Sequence, residues 1–277
     1  MARARATSGG RLTKPDFEIP LERLPPGFAE RIDLVDADAA VPRPAATAVL
    51  MRDGDEAIEV LLLQRHRSSG FVPGAYVFPG GRVDIDDASI AIPVTDPPPE
   101  YWVAAIREIF EETGVLLARD ADGALARDCA ADPVMENWRE QLMQGTATLA
   151  DLARERKLDL AIDRLAYFSH WITPIGEPRR YDTRFFLAAL PPGCEARADS
   201  REMTDAIWLT VNDALRRFEA GRLPMVFPTV RTLQALREYR SVAAAFEAAR
   251  NTTVQPILPR LVRTTTGVGI VIDQETK

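Results

Sequence analysis

The chain has 277 residues, 46% of them hydrophobic and 27% charged, which is enough to bury a sizeable core and ordinary for a globular protein. Disorder throughout, a disulfide scaffold and a collagen-like fibre are excluded. With 34 basic against 41 acidic side chains the net charge is −7, which argues against a non-specific electrostatic grip on nucleic acid.

Residues 1–11 are Arg-, Ser- and Gly-rich without an apolar signal region behind them, and no stretch approaches the roughly 18 apolar residues of a membrane span. A cytoplasmic chain, mature over its whole length and with no membrane partner, is the expectation. Residues 1–40 carry Pro15, Pro20, Pro25 and Pro26 and read as a mobile tail followed by an extended wrapping segment. Residues 41–277 read as one domain, with an insertion at about 88–99 and helices toward the C-terminus. Two β-branched apolar runs, 45–51 and 58–64, flank Arg52-Asp53-Gly54-Asp55 and predict a hairpin. Tyr76-Val77-Phe78 predicts a short strand leading to Pro79-Gly80-Gly81. Pro97, Pro98 and Pro99 after Asp96 mark a helix start, since proline fits the first turn, and Gly114 marks its stop, so a helix is expected over 100–113. Residues 132–160 look like one or two exposed helices. Strands are expected over 165–173, 181–190 and 206–210, amphipathic helices over 212–219 and 230–250, and an edge strand over 265–272. Periodicity alone supports a mixed α and β domain.

The chemistry is narrowed by what is scarce. Cys129 and Cys194 are the only cysteines and lie far apart, so zinc ribbons and a redox C-x-x-C are absent. His66 and His170 are the only histidines, and nothing in the sequence makes either a convincing base; Lys14, Lys157 and Lys277 are the only lysines. Carboxylates are therefore the first suspects. On the helix expected over 100–113, Glu108, Glu111 and Glu112 fall at i, i+3 and i+4, on neighbouring positions of one face. Trp102, Ala105, Ile106 and Ile109 form an apolar stripe opposite. Three like charges repel, so the face is either simply solvated or neutralised by a hard divalent cation that oxygen ligands suit.

The surroundings decide between these. Arg107-Glu108-Ile109-Phe110-Glu111-Glu112-Thr113-Gly114-Val115, entered through Phe78-Pro79-Gly80-Gly81, resembles the Nudix hydrolase signature, G-x5-E-x7-R-E-U-x-E-E-x-G-U with U apolar. Its second half is matched completely. In the first half Asp87 stands where the family has Glu, and 19 residues separate it from Arg107 in place of 7, so a proline-rich insertion of 12 interrupts the box. Asp84 or Asp86 is an alternative to Asp87 in that role. The resemblance implies an α+β fold, the Nudix α/β/α sandwich with a mixed β-sheet between helices, and a Mg²⁺ or Mn²⁺ cofactor. It implies Glu111 and Glu112 as metal ligands, Glu108 as ligand or base, and Arg107 orienting a glutamate, with Gly80, Gly81 and Gly114 as motif glycines.

The interrupted box, with Tyr181-Asp182-Thr183-Arg184-Phe185-Phe186 later, is similar to the branch that includes a peroxisomal coenzyme A diphosphatase. Glu275-Thr276-Lys277 is not a peroxisomal address. The branch implies hydrolysis of coenzyme A or acyl-coenzyme A to 3′,5′-ADP and (acyl-)4′-phosphopantetheine. ADP-ribose, NADH and dinucleoside polyphosphates are the alternative substrates, and a homodimer is compatible with the pattern. A non-catalytic nucleotide-sensing regulator is the alternative of another class; it predicts damaged glutamates and a basic DNA-binding segment, whereas all three helix glutamates are present and the chain is acidic. Arg65, Arg179, Arg180 and Arg184 are candidates to meet substrate phosphates, Glu202 is a candidate late metal ligand, and Tyr76, Phe78 and Trp171 are candidates to stack on a base or to fill the core.

Overall fold

A computed structural model describes residues 15–20, 32, 39–66, 73–127, 132–198 and 203–272. Most of the expected N-terminal tail and Glu202 lie outside the described residues. The chain divides into two compact units: residues 41–172 with 181–257, and residues 1–40 with 173–180 and 258–277. In chain order the elements are β1 (Phe17–Pro20), β2 (Arg43–Asp53), β3 (Ile58–Arg65), β4 (Tyr76–Val77), β5 (Gly80–Arg82), α1 (Pro99–Thr113), β6 (Ala118–Arg119), α2 (Pro133–Met143), α3 (Leu149–Arg156), β7 (Asp159–Leu160), β8 (Leu165–Ile172), β9 (Tyr181–Ala189) and β10 (Met203–Thr210). They continue with α4 (Val211–Glu219), α5 (Phe227–Leu236), α6 (Val242–Arg250), β11 (Pro256–Ile257), β12 (Arg260–Arg263) and β13 (Gly267–Val271).

The larger unit is built on a mixed sheet of order β10-β3-β2-β9-β8-β11, with β4 paired to β3 and β5 to β2. The hairpin β2–β3 is antiparallel, whereas β2 and β9 run parallel over nine residue pairs from Arg43 with Tyr181 to Met51 with Ala189. Alternation divides the central strands between two buried faces. Ala46, Ala48, Leu50, Leu61, Leu63 and Phe186 pack with α1, while Val49, Met51, Val60, Leu62 and Leu187 are buried on the other face. There α5 places Phe227 edge-on to Trp171, ring centres 5.6 Å apart. A mixed sheet between helices is therefore the architecture.

α1 forms where its punctuation requires. Pro99 occupies the first turn, and Gly114 takes the left-handed conformation (φ 72°) with its N–H donating to the Phe110 carbonyl at 2.8 Å. Ile106, Ile109 and Phe110 are fully buried, and each contributes about 1.5–3 kcal/mol. Trp102 packs on Phe186, centroids 4.7 Å apart, and donates its indole N–H to Pro97 O.

Four expectations need correction. The helices over 132–160 are two, and not simply exposed: Met135, Trp138, Leu142, Leu149 and Leu152 are buried. The single helix expected over 230–250 is two, because Ser241 caps α6 by accepting from Ala244 N–H. The glutamate face of α1 is not solvated, as Glu108 and Glu112 are buried. In the smaller unit β13 is not an edge strand but lies between β1 and β12, both antiparallel to it.

Gly114→Ala should cost about 1 kcal/mol, because only glycine holds a positive φ without strain. A urea denaturation midpoint lower than wild type by the corresponding amount is the expected result.

Candidate active site

The site is assembled by β5 and α1. Gly81 pairs with Ala46 of β2, and a Cβ added to Gly81 would lie 2.4 Å from Glu108 Oε1. A side chain there would push the carboxylate away, which is the physical reason for glycine in this position. Gly80 N–H donates to Glu112 Oε2 at 3.1 Å. Strand and helix are thus joined through the carboxylates themselves.

Arg107 sits at the centre. Its Nε and Nη2 donate to the two oxygens of Asp87 at 2.9 and 3.0 Å, its Nη1 to Glu108 Oε1 at 2.9 Å and Glu111 Oε2 at 3.0 Å, and its Nη2 also to Arg82 O at 2.8 Å. A planar guanidinium makes this two-pronged grip on Asp87 where an ammonium would not. Asp87 is buried, on a short 3₁₀ turn (Ile85–Ser89), and also accepts from the Asp84 backbone N–H. The box insertion thus begins after the residue that meets Arg107, and its Ile90, Ile92 and Val94 pack against the core. Asp84 is exposed and only 3.7 Å from Arg107 Nη2, and Asp86 is exposed.

The electrostatics follow from burial. Burial opposes the charge on Arg107, but Asp87, Glu108 and Glu111 hold it protonated. Burial raises Glu108 from its ordinary 4.5 to about 8 against the pull of Arg107, and it raises Glu111 and Asp87 as well. Among the described residues no group of three or more His, Cys, Asp or Glu side chains converges closely enough to hold a metal ion. The oxygen-only donor set is nevertheless the kind that suits Mg²⁺ or Mn²⁺, and a cation would offset the burial of the carboxylates.

The other candidates fall out differently. Arg180 is buried, with Nε donating to Thr173 O and Nη1 to Ala40 O, a purely backbone-bracing set of contacts. Arg179 is exposed and Arg65 half-buried. Arg184 lies over the Tyr101 ring at 4.4 Å and pairs with Asp182 at 2.5 Å. His170, which nothing in the sequence made a convincing base, pairs through Nε2 with the same carboxylate. Burial lowers the proton affinity of His170 although Asp182 pulls the other way. Phe78 and Trp171 are core residues, and Tyr76 donates its hydroxyl to Asp205. Sequence reasoning missed Arg139, which is buried and donates Nε to the Glu111 carbonyl at 2.8 Å and Nη2 to Arg197 O. An arginine within the apolar stripe of α2 was the available signal.

Comparison with known proteins adds to this geometry. A family model described as the NUDT19 Nudix domain matches residues 98–236, and a general NUDIX domain model matches residues 41–142. The chain is 29% identical to the acyl-coenzyme A diphosphatase NUDT19 of Gallus gallus, over 66% of this chain and 62% of that protein. For the Homo sapiens protein of that name the figures are 27%, 68% and 63%. The chain therefore spans about three-fifths of the length of these relatives. The crystal structure of a NUDIX hydrolase from Alicyclobacillus acidocaldarius is similar with a TM-score of 0.65 and 33% identity, over 78% of this chain and 98% of that one.

Asp87→Ala strips Arg107 of its two-pronged partner inside the protein and should cost about 3 kcal/mol, read by chemical denaturation. The raised Glu108 has a second consequence. The folded state binds this proton more tightly than the unfolded state, so its contribution to stability is present below about pH 4.5 and is lost as pH climbs to about 8. In metal-free protein the melting temperature should fall across that window, and Glu108→Gln should flatten the fall.

Proposed function

This chain belongs to the Nudix hydrolase family, in its NUDT19-like branch, and from that premise we propose that it hydrolyses the diphosphate linkage of coenzyme A or acyl-coenzyme A to 3′,5′-ADP and (acyl-)4′-phosphopantetheine. The observation that carries the reading is the set of three glutamates, Glu108 and Glu112 buried and Glu111 half-buried, around Arg107 and the Gly80-Gly81 strand. A solvated surface face would not keep Glu108 and Glu112 buried, since taking carboxylates out of water is costly unless something compensates. The substrate class is supported by the relatives named as acyl-coenzyme A diphosphatases and by the interrupted box, which Asp87 rejoins to the helix.

In this reading Glu108, Glu111 and Glu112 would hold Mg²⁺ or Mn²⁺. The chemistry such an ion supplies when bound is neutralisation of phosphate charge and acidification of water near neutral pH. Arg107 keeps Glu108 and Glu111 turned toward one another, Asp87 keeps Arg107 in place, and Arg139 fixes the backbone from which Glu111 projects. Glu108, held by Arg107 and by the space that Gly81 leaves for it, is the ligand or the base of this reading, and a bound cation would favour its ionised form. The backbone of Gly81 leaves the space in which its carboxylate stands.

The test is to incubate the purified chain and Mg²⁺ with coenzyme A, ADP-ribose, NADH and diadenosine polyphosphates, and to weigh the products by mass spectrometry. Release of 3′,5′-ADP from coenzyme A is expected, and its absence while another diphosphate is cut would reassign the substrate. Glu111→Gln should lower turnover at least about 10²-fold with little change in folding, and EDTA should abolish it. Wild-type rates in either case would reject the mechanism.

A further inference from the structure

Across the larger sheet, four residues stand in one row. Gly81 of β5 is opposite Ala46 of β2, Ala46 is opposite Arg184 of β9, and Arg184 is opposite His170 of β8. Alternation fixes the face: Ala46 and Phe186 pack with α1, so Arg184, two residues before Phe186, points to the α1 side as well. The helix lies along this row. Glu108 stands over Gly81 and Tyr101, seven residues earlier and hence two turns back, lies under the guanidinium of Arg184 at 4.4 Å.

Arg184 is therefore on the same face as the glutamates, displaced from Gly81 by two strand spacings, or roughly 10 Å. That separation is too great for the two phosphates of one anhydride, which share a single bridging oxygen. It suits a second anionic group on the same molecule, separated from the anhydride by a unit about the size of a ribose. The side chain is built for such a contact. Asp182 pairs with Nη1, His170 holds Asp182 from behind, and Tyr101 supports the plane. Nε is buried without a hydrogen-bond acceptor, a costly state for a residue whose only task is to neutralise Asp182. The rim of the cluster reaches solvent, with the side chains of Arg184 and Asp182 16% and 27% exposed.

We propose that Arg184, set in place by Asp182, His170 and Tyr101, anchors a second phosphate of the substrate, the one attached to the ribose on the side away from the cleaved linkage. This rests on the coenzyme A reading, in which that group is the 3′-phosphate. Arg184 touches the substrate; His170 acts through Asp182 and is a positioning residue.

Calorimetric titration of the full chain with 3′,5′-ADP and with 5′-AMP tests this without any turnover. The wild type should bind 3′,5′-ADP at least about tenfold more tightly than AMP, the scale of a charge-assisted contact. Arg184→Gln should bring that ratio to about one. Arg184→Lys should restore part of it, because an ammonium lacks the planar fork. His170→Gln should lower the ratio to an intermediate value, whereas a merely structural histidine would lower the melting temperature and leave the ratio at its wild-type value. A wild-type ratio near one, or a ratio that survives Arg184→Gln, overturns the proposal. Should Arg184→Gln fail to fold, the wild-type, Arg184→Lys and His170→Gln ratios decide the matter. Failure of the coenzyme A reading has a separate signature, namely no cleavage of coenzyme A with Mg²⁺, on which these binding ratios do not depend.

Discussion

One buried guanidinium organises this site. Arg107 meets Asp87, Glu108, Glu111 and the Arg82 carbonyl at once, and these partners come from three different elements. Asp87 belongs to the turn that follows the glycine strand, Arg82 to the strand itself, and the glutamates to the helix. A charge with its hydrogen bonds satisfied in this way is tolerable inside a protein, and the same charge with one partner removed is not. The joint between strand, turn and helix is therefore set by electrostatics as much as by apolar packing.

The packing supplies what the charges require. α1 is buried almost all round, with Ile106, Ile109 and Phe110 pinned against the sheet, so the three glutamates cannot relax by rotating the helix. Gly81 admits the Glu108 carboxylate where any side chain would displace it. Arg139 reaches from α2 to the Glu111 carbonyl, tying the outer helix to the inner one at the turn that carries the glutamates. Fold and site share the same residues, and the insertion after Asp87 is accommodated because Asp87 still reaches Arg107 while Ile90, Ile92 and Val94 pack against the core.

Much of this was legible in the sequence where local chemistry decides. The hairpin β2–β3 and the limits of α1 follow from Gly54, Pro99 and Gly114, because glycine and proline act through their own backbone. The glutamate spacing and the paired glycines pointed to the candidate site and to the family. What was not legible depends on partners distant in the chain. The central place of β13 needs β1, some 250 residues away. The burial of Glu108 and Glu112 needs the layer formed by β5, and the pairing of His170 with Asp182 needs two strands in register. The break before α6 was missed for a different reason. Its apolar pattern continues across Ser241, and only the cap interrupts it.

The central claim is that the carboxylates held by Arg107 and by the Gly80 N–H form the seat of a hard dication beside a diphosphate. The most direct measurement is anomalous diffraction from crystals soaked with Mn²⁺ and 3′,5′-ADP. The account predicts a manganese peak coordinated by Glu108, Glu111 and Glu112, with phosphate density beside it. Manganese seated elsewhere, with these three side chains turned away from the bound phosphates, would contradict it.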